Sequence, residues 1–256
     1  MAAVAIFAVA VLALLAYVDV QSSAVVPVFM YHSFGPGPDS RYETLSVDPK
    51  IFEIQMKTLK DNNYNFIGPE KTVAYMTGRE KMPPRTVAIT ADDGYMNFYT
   101  VAYPIFKKYK IPAAIFVTTG KIGQKGYLGW NELREMSDSG LITIGSHTRT
   151  HPWLPAVSVY EDKLRDELAG SREALEKGLG RPVEYICYPN GGFNDIVRDA
   201  AREYGYKGAF TTNPSGRGRL GDIYAIRRIK MSSSTDDTLR ILGKATRYYA
   251  WFKERR

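Results

Sequence analysis

At residues 85–94 the chain reads RTVAITADDG, and this stretch predicts both the fold and the location of a site. Its first part is rich in β-branched and apolar residues and follows two prolines, which is typical of a buried strand. Gly94 then allows a sharp turn of the backbone. Asp92 and Asp93 are therefore expected at the C-terminal end of a strand, which is where α/β barrels carry their catalytic residues.

A second stretch repeats this arrangement. Residues 141–144 read LITI, a short apolar strand, and His147 and His151 follow after a Gly-Ser pair. Side chains four residues apart face the same side of one helical turn. Pro152 disfavours a helical conformation at the residue before it, so we predict that the histidine pair lies on a loop or on a single tight turn.

The two stretches together indicate a metal site. Two imidazoles and one carboxylate suit zinc, and also cobalt or nickel. We therefore predict that Asp93, His147 and His151 bind a divalent metal and that Asp92 is left free as a base. Taken separately, an Asp-Asp pair is more often a solvated turn or a helix cap, and most His-x-x-x-His pairs are not metal sites. The prediction depends on the two motifs both following apolar strands.

Three short motifs, in this order, resemble those of the polysaccharide deacetylases, the NodB-homology family of carbohydrate esterases. The family motif Thr-Phe-Asp-Asp-Gly stands here as TADDG at residues 90–94, and His-Ser/Thr-x-x-His stands as HTRTH at residues 147–151. The third motif, in its Tyr-Pro-x-Gly form, is YPNG at residues 188–191. The resemblance spans about residues 26–230. It implies a distorted, incomplete (β/α) barrel and a metal-dependent hydrolase that removes N-acetyl groups from an N-acetylhexosamine polysaccharide and releases acetate.

An earlier motif sharpens the resemblance. Residues 28–32 read VFMYH, and a Met-Tyr-His strand ahead of the Asp-Asp motif is similar to the circularly arranged branch of the family, which includes poly-β-1,6-N-acetylglucosamine deacetylases. In that branch the early histidine is the catalytic acid, which implies this role for His32, because no histidine follows His151. A tryptophan also helps to line that site, which implies this position for Trp130. The alternative is that His32 is a histidine of the hydrophobic core and that Trp130 is an ordinary core tryptophan, neither with a role in the site.

The third motif implies contacts with the substrate. Its turn would present the backbone N–H of Asn190 to the oxyanion that forms during amide hydrolysis. The alternative is that these residues simply form a tight turn. This alternative is compatible with the catalytic role, because the turn itself would present the N–H group. The substrate-binding residues that the resemblance implies are Tyr188, Pro189, Gly191 and Trp130.

One position departs from the family pattern. Cys187 stands where many relatives have an arginine that pairs with the catalytic aspartate, here Asp92. Arg228 is the candidate to supply that charge from another strand. Arg227 is its rival, because strand alternation sends the two side chains to opposite faces.

The N-terminal residues indicate export. Residues 1–18 contain no charged side chain, which is typical of a secretory leader or of a short membrane anchor that would associate the protein with the membrane. Small residues at 22–24 offer a cleavage site, and both interpretations stay open. We therefore predict a signal peptide or anchor over residues 1–24 and a catalytic domain over residues 25–256, in an extracellular or cell-envelope protein.

Composition narrows the class of partner. The net charge of +7 could attract anionic cell-wall polymers or membrane surfaces. No module that reads nucleic acid is visible, so no nucleic-acid partner is predicted. Cys187 is the only cysteine, which excludes an internal disulfide. The sequence does not indicate an oligomeric state.

Strand and helix patterns alternate along the chain, which favours a parallel sheet. Helices are predicted over about residues 49–62, 99–109, 160–177 and 194–204, and strands over residues 113–117, 208–211 and about 225–231. Two other functions compete with the polysaccharide deacetylase. They are a metal-dependent hydrolase of a small non-sugar amide and a non-catalytic glycan-binding protein on the same fold. The presence of both motif aspartates and all three histidines argues against a loss of catalysis.

Overall fold

The computed structural model describes residues 6, 25–36, 44–212 and 221–254. The predicted leader or anchor, residues 1–24, lies outside the described residues apart from residue 6. None of the helices in the described part of the chain has the length and apolar character that a membrane span requires.

Short strands form the centre of the fold. The strands are β1 Val28–Tyr31, β2 Ser33–Phe34, β3 Ser46–Val47, β4 Asn65–Ile67, β5 Thr86–Ala91, β6 Ala113–Val117, β7 Ile142–Ser146, β8 Tyr185–Cys187, β9 Gly208–Thr211, β10 Ile226–Arg227 and β11 Ile229–Lys230. β2 and β3 form a small separate pair, and β4 pairs with the first half of β5. The predicted strands at residues 113–117 and 208–211 are confirmed.

The main sheet is parallel and nearly closes into a barrel. Its strand order is β10-β9-β8-β7-β6-β5-β1-β11. β10 and β11 lie at opposite ends of this order, yet only Arg228 separates them along the chain. One segment therefore pairs with β9 through its first half and with β1 through its second half. The distorted (β/α) barrel that the resemblance implies is confirmed, whereas the continuous strand predicted over residues 225–231 is interrupted at Arg228.

Helices cover the sheet. They are α1 Pro49–Asp61, α2 Pro69–Met76, α3 Tyr103–Tyr109, α4 Trp130–Asp138, α5 Leu154–Val157, α6 Glu161–Arg165, α7 Ser171–Leu179, α8 Asp195–Glu203, α9 Thr238–Lys244 and α10 Arg247–Glu254. A π-helical turn over Phe98–Ala102 leads into α3, and another over Asp166–Gly170 joins α6 to α7. The helix predicted over residues 160–177 is therefore interrupted by a π-helical turn, a feature that is frequent near functional sites.

The helices dock on the sheet through apolar faces. In α1 the side chains of Phe52, Met56 and Leu59 are fully buried, as their spacing along the sequence predicts. The Asp48 side chain caps this helix by accepting a hydrogen bond from the Lys50 amide at 2.8 Å. Burial of these large side chains fixes the helix against the sheet and leaves the C-terminal ends of the strands free to carry polar residues.

Gly145 in β7 packs closely against its neighbours inside the barrel. A Cβ atom at this position would lie 2.5 Å from a Phe116 ring carbon and 2.9 Å from the Tyr185 carbonyl oxygen. We therefore expect Gly145→Ala to lower the free energy of unfolding by about 1–3 kcal/mol, as measured by urea titration. Gly243→Ala in α9 is the matched control, because, apart from its chain neighbours and the backbone of its own helix, no described atom lies within 4 Å of its added Cβ. A destabilisation of equal size in both variants would contradict this packing argument.

Candidate metal centre and active site

The backbone at the end of β5 brings two carboxylates to one cavity. Asp93 and Gly94 both adopt left-handed conformations, with φ of 74° and 82°. A left-handed conformation is costly for a residue with a side chain, and such conformations are found mostly at functional sites. This sharp turn lets Asp92 and Asp93 line the same cavity, although they are neighbours on the chain.

Asp93, His147 and His151 offer three ligand atoms around one point. The Nε2 atom of each histidine lies 3.6 Å from Oδ1 of Asp93, and the three ligand atoms lie within 4.8 Å of one another. Zinc binds nitrogen and oxygen ligands at about 2.0–2.2 Å, so ligand atoms at these separations can share one ion. The three residues that the sequence predicts as metal ligands are therefore brought together with a fitting donor set.

Contacts behind His147 prepare its ring for metal binding. Its Nδ1 atom lies 2.7 Å from the Cys187 carbonyl oxygen, so Nδ1–H donates to that carbonyl and Nε2 keeps its lone pair. Burial lowers the pKa of His147 to about 3, which keeps the imidazole neutral at physiological pH. A neutral imidazole with its free nitrogen toward Asp93 is the form that binds a metal.

A second group of potential ligands is less suited to a metal. Asp92, His147 and Cys187 also lie close enough together to bind an ion, and all three are buried. However, the Arg228 guanidinium donates to Asp92 and lies 2.9 Å from the Cys187 sulfur, so a fixed positive charge fills this position. Of the two groups, Asp93 with His147 and His151 therefore fits a metal ion better.

Glu167 holds the loop that carries the two histidines. This loop is not helical, as predicted, and both Thr148 and His151 have positive φ angles. The Glu167 carboxylate accepts hydrogen bonds from the backbone amides of Arg149 and Thr150, both at 2.8 Å. Sequence analysis missed this residue, whose only signal is an acidic side chain on an otherwise apolar face of the predicted helix.

Arg228 pairs with Asp92. Its Nη1 and Nη2 atoms donate to the two carboxylate oxygens at 2.7 and 2.6 Å, and the side chains are 0% and 3% exposed. Burial alone would raise the pKa of Asp92, but the Arg228 charge outweighs burial and holds the pKa well below its usual range. Arg227 donates instead to the Lys253 carbonyl at 3.3 Å. The structure therefore places Arg228, and not Arg227, in the position of the arginine that the third motif lacks.

His32 approaches Asp92 from the end of β1. Its Nε2 atom lies 3.8 Å from Asp92 Oδ2, and its side chain is 15% exposed. Burial lowers the pKa of His32, and the charges of Asp92 and Asp93 partly oppose this effect. His32 lines the same cavity as Asp93, His147 and His151. In this position its imidazole can transfer a proton to or from a bound molecule.

The cavity that contains these groups has a volume of about 480 Å³, and we call it the Asp-His cavity. Tyr95 and Tyr127 also line it, with their ring centroids 5.3 Å apart. Sequence analysis missed this aromatic pair, because the two tyrosines come from different loops and meet only in the fold. The proximity of Tyr95 to the Asp-Asp motif was the one available signal.

The residues of the third motif divide into two groups. Tyr188 and Asn190 line the Asp-His cavity, and Asn190 adopts a left-handed conformation with φ of 54°. Pro189 and Gly191 are buried beneath them, and the Gly191 carbonyl accepts a hydrogen bond from the Thr211 hydroxyl at 2.9 Å. These two residues therefore shape the turn and do not line the cavity.

Trp130 does not lie where the resemblance implies. Its ring packs over Gly178 of α7, so closely that a Cβ atom there would lie 2.1 Å from the ring. Trp130 is not among the residues that line the Asp-His cavity. It is the first residue of α4, and the contact between α4 and α7 draws its ring toward the helix layer. The tyrosines that line the cavity among the described residues are Tyr95, Tyr127 and Tyr188.

The pKa of Asp93 predicts how metal binding depends on pH. In the metal-free protein burial raises this pKa to about 6, and the negative charge of Asp92 adds to the effect. Below this pH a metal must displace a proton from the carboxylate. We therefore expect the zinc dissociation constant from competition titration to rise about tenfold as the pH falls by one unit below 6. Asp93→Asn should bind zinc weakly and lose the part of this dependence that the Asp93 carboxylate contributes, and a flat profile in the unaltered protein would contradict the assignment.

The parallel barrel carries the Asp/His group at the C-terminal ends of its strands, which is where barrel enzymes place their catalytic residues. The sequence profile of one family, Polysaccharide deacetylase, matches residues 79–209. The chain belongs to the polysaccharide deacetylase family, which confirms the resemblance seen in the motifs.

Individual relatives support this membership. The chain is 34% identical over 217 residues to the polysaccharide deacetylase homologue YxkH of Bacillus subtilis. The matched region covers 85% of this chain and 75% of that protein. It is 31% identical over 205 residues to poly-β-1,6-N-acetyl-D-glucosamine N-deacetylase of Staphylococcus aureus, covering 76% of this chain and 70% of that protein. A similar solved structure is the Streptococcus pyogenes deacetylase PplD in complex with acetate. It has a TM-score of 0.79 and 29% identity, and the match covers 88% of this chain and all (100%) of that one.

Proposed function

We propose that this protein is a metal-dependent N-deacetylase that hydrolyses the acetamide groups of an N-acetylhexosamine polysaccharide. The observation that carries the proposal is the arrangement of two groups in one cavity. The potential metal ligands Asp93, His147 and His151 lie beside the Arg228-paired Asp92 and the imidazole of His32. Family membership and the staphylococcal relative support the choice of an N-acetylated glycan as substrate.

The chain supplies the proton transfers that amide hydrolysis needs. When bound, a divalent metal would supply Lewis-acid activation of the acetamide carbonyl and of the attacking water. Asp92 is ionised, because Arg228 lowers its pKa, and it accepts the proton that the water loses. His32, in its protonated form, donates a proton to the amine nitrogen as the C–N bond breaks. The products are acetate and a free amine on the sugar.

Residues around the cavity would orient the glycan. The backbone N–H of Asn190 is the candidate donor to the oxyanion, because Asn190 lines the cavity at the tip of its turn. Tyr95 and Tyr127 offer apolar ring surface to a pyranose face. Tyr188 is held in place by stacking on Phe193, with ring centroids 5.5 Å apart.

A panel of N-acetylglucosamine oligomers that differ in linkage tests this function. The metal-loaded protein is incubated with each oligomer, and released acetate is quantified by an enzyme-coupled assay. We expect acetate from at least one linkage, and the preferred linkage identifies the polymer class. Release from simple acetamides but from no oligomer would favour a hydrolase of small amides. Binding of oligomers without any release would favour a glycan-binding protein.

We also propose that the protein is exported and retained or released at the cell envelope. The support is the uncharged stretch at residues 1–18, which suits a leader or an anchor. Fractionation of cells that express the full chain is the test. Recovery in the cytoplasmic fraction alone would contradict the proposal. The mass of the recovered protein distinguishes a cleaved leader from an anchor.

A further inference from the structure

Residues 147–151, which we call the histidine loop, hold their two imidazoles in a strained backbone conformation. Thr148 and His151 have φ angles of 64° and 63°, in the left-handed region that residues with a side chain rarely adopt. His151 is also one of the three residues suited to bind a metal. Strained conformations of this kind persist only where surrounding contacts hold them. The relative position of the two imidazoles therefore depends on the contacts that hold this loop.

The Glu167 carboxylate holds the middle of the histidine loop. One of its oxygens accepts hydrogen bonds from the backbone amides of Arg149 and Thr150, both at 2.8 Å, and the other accepts from the Thr150 hydroxyl. Glu167 is only 7% exposed, so water competes little for these bonds. Hydrogen bonds to a charged acceptor are stronger than those between neutral groups. The carboxylate therefore fixes the two residues that lie between the left-handed positions.

Ser171, which directly follows the π-helical turn that carries Glu167, connects this turn to the start of the histidine loop. The Ser171 hydroxyl donates to the Glu167 carbonyl at 2.6 Å and lies 2.8 Å from the Ser146 hydroxyl. The Ser146 hydroxyl in turn accepts a hydrogen bond from the Thr148 amide at 3.0 Å. The segment from the π-helical turn to Ser171 therefore supports the histidine loop at its start and at its middle, in agreement with the frequent occurrence of π-helical turns at functional sites.

We propose that Glu167 is a positioning residue that keeps the histidine loop in its metal-binding conformation before a metal binds, and that it thereby sets the affinity of the site for a divalent metal. The inference rests on the metal-dependent function proposed above. Glu167 belongs to neither of the two groups of potential ligands among the described residues, so its effect passes through the loop. Without the carboxylate the left-handed residues would relax toward ordinary conformations, and metal binding would have to restore the strained one. A site that is ordered in advance binds more tightly, because binding does not have to order it.

The zinc affinity of the metal-free full chain tests the proposal. The zinc dissociation constant is measured by competition with a coloured chelator in the unaltered protein, in Glu167→Ala and in Glu167→Gln. Glutamine keeps the size of the side chain, and its amide oxygen can accept the same two backbone hydrogen bonds without the negative charge. Glu173→Ala is the matched control, because Glu173 is an exposed acidic residue of α7 outside the Asp-His cavity. Circular dichroism checks that each variant is folded.

We expect Glu167→Ala to raise the zinc dissociation constant by about 10–100-fold, the effect typical of residues that support metal ligands. Glu167→Gln should raise it by less, and Glu173→Ala should leave it unchanged. At saturating zinc, kcat for acetate release should return close to that of the unaltered protein, because the metal ligands and Asp92 are intact. An unchanged dissociation constant in Glu167→Ala, or an equal rise in Glu173→Ala, would overturn the inference. If Glu167→Ala does not fold, an unchanged dissociation constant in Glu167→Gln would overturn it instead.

Zinc binding needs no turnover, so the titration separates failure of this inference from failure of the proposed function. Weaker zinc binding in Glu167→Ala, together with no acetate release from any oligomer, would support the positioning role and contradict the deacetylase function. Equal zinc binding in Glu167→Ala and the unaltered protein, together with metal-dependent acetate release, would overturn the positioning role alone. Absence of zinc binding in the unaltered protein would overturn both.

Discussion

Replacing Asp92 by asparagine is expected to lower kcat for acetate release by about 10²–10⁴-fold, the range that general acid–base groups contribute. Asparagine has nearly the same shape and still accepts a hydrogen bond from Arg228, but it cannot accept the proton of the attacking water. KM and zinc binding should change little, because the metal site is assigned to Asp93 and the two histidines of the 147–151 loop. The measurement is steady-state kinetics on the preferred oligomer with metal-loaded protein.

A matched control separates the loss of a base from a general loss of charge. Asp61→Asn removes a carboxylate that pairs with Lys57 on the surface of α1, and it should leave kcat unchanged. Circular dichroism checks that both variants are folded. If Asp92→Asn retained more than about a tenth of the original kcat, another group would have to act as the base, and the assignment of this role to Asp92 would be wrong.

Replacing Arg228 by methionine is expected to lower the free energy of unfolding by about 3–5 kcal/mol, the cost of breaking a buried ion pair on one side. The variant would leave the buried Asp92 carboxylate without the two hydrogen bonds that now hold it. Its pKa should rise, because burial would act without the opposing cation. Urea titration at neutral pH gives the change in stability.

The dependence of this loss on pH provides an internal check. A carboxylate with a lowered pKa stabilises the folded protein above its unfolded pKa, near 3.9. This contribution disappears as the pH falls toward the lowered value. The difference between Arg228→Met and the unaltered protein should therefore shrink in acid. Arg227→Met is the control, and it should cost less than about 1 kcal/mol, typical of surface changes. Equal losses in the two variants would contradict the assignment of Arg228 as the partner.

Residues whose chemistry depends on neighbours along the chain could be predicted from the sequence. The Asp-Asp pair and the His-x-x-x-His pair each sit on one turn after one strand, so local spacing is enough to bring their side chains together. The parallel ends of β5 and β7 then join the two motifs at the same edge of the barrel. This is why the three residues predicted as metal ligands lie together in the fold.

Residues whose position depends on packing between distant elements could not be predicted. Glu167 reaches the histidine loop only because its π-helical turn lies against it, and no local pattern encodes that contact. The position of the Trp130 ring also depends on packing between distant elements, because the contact between α4 and α7 determines where the ring points. The sequence could not decide between Arg227 and Arg228. The strand is interrupted between β10 and β11, so the alternation of side chains between the two faces could not be followed through these positions.

We propose that deacetylation requires a metal held by Asp93, His147 and His151. Acetate release from the preferred oligomer is followed in protein stripped with a chelator and then titrated with zinc, cobalt or nickel. We expect no release from the stripped protein and a recovery that saturates at one metal ion per chain, with no recovery in His147→Gln. Full activity in the stripped protein, or equal recovery in His147→Gln, would contradict it.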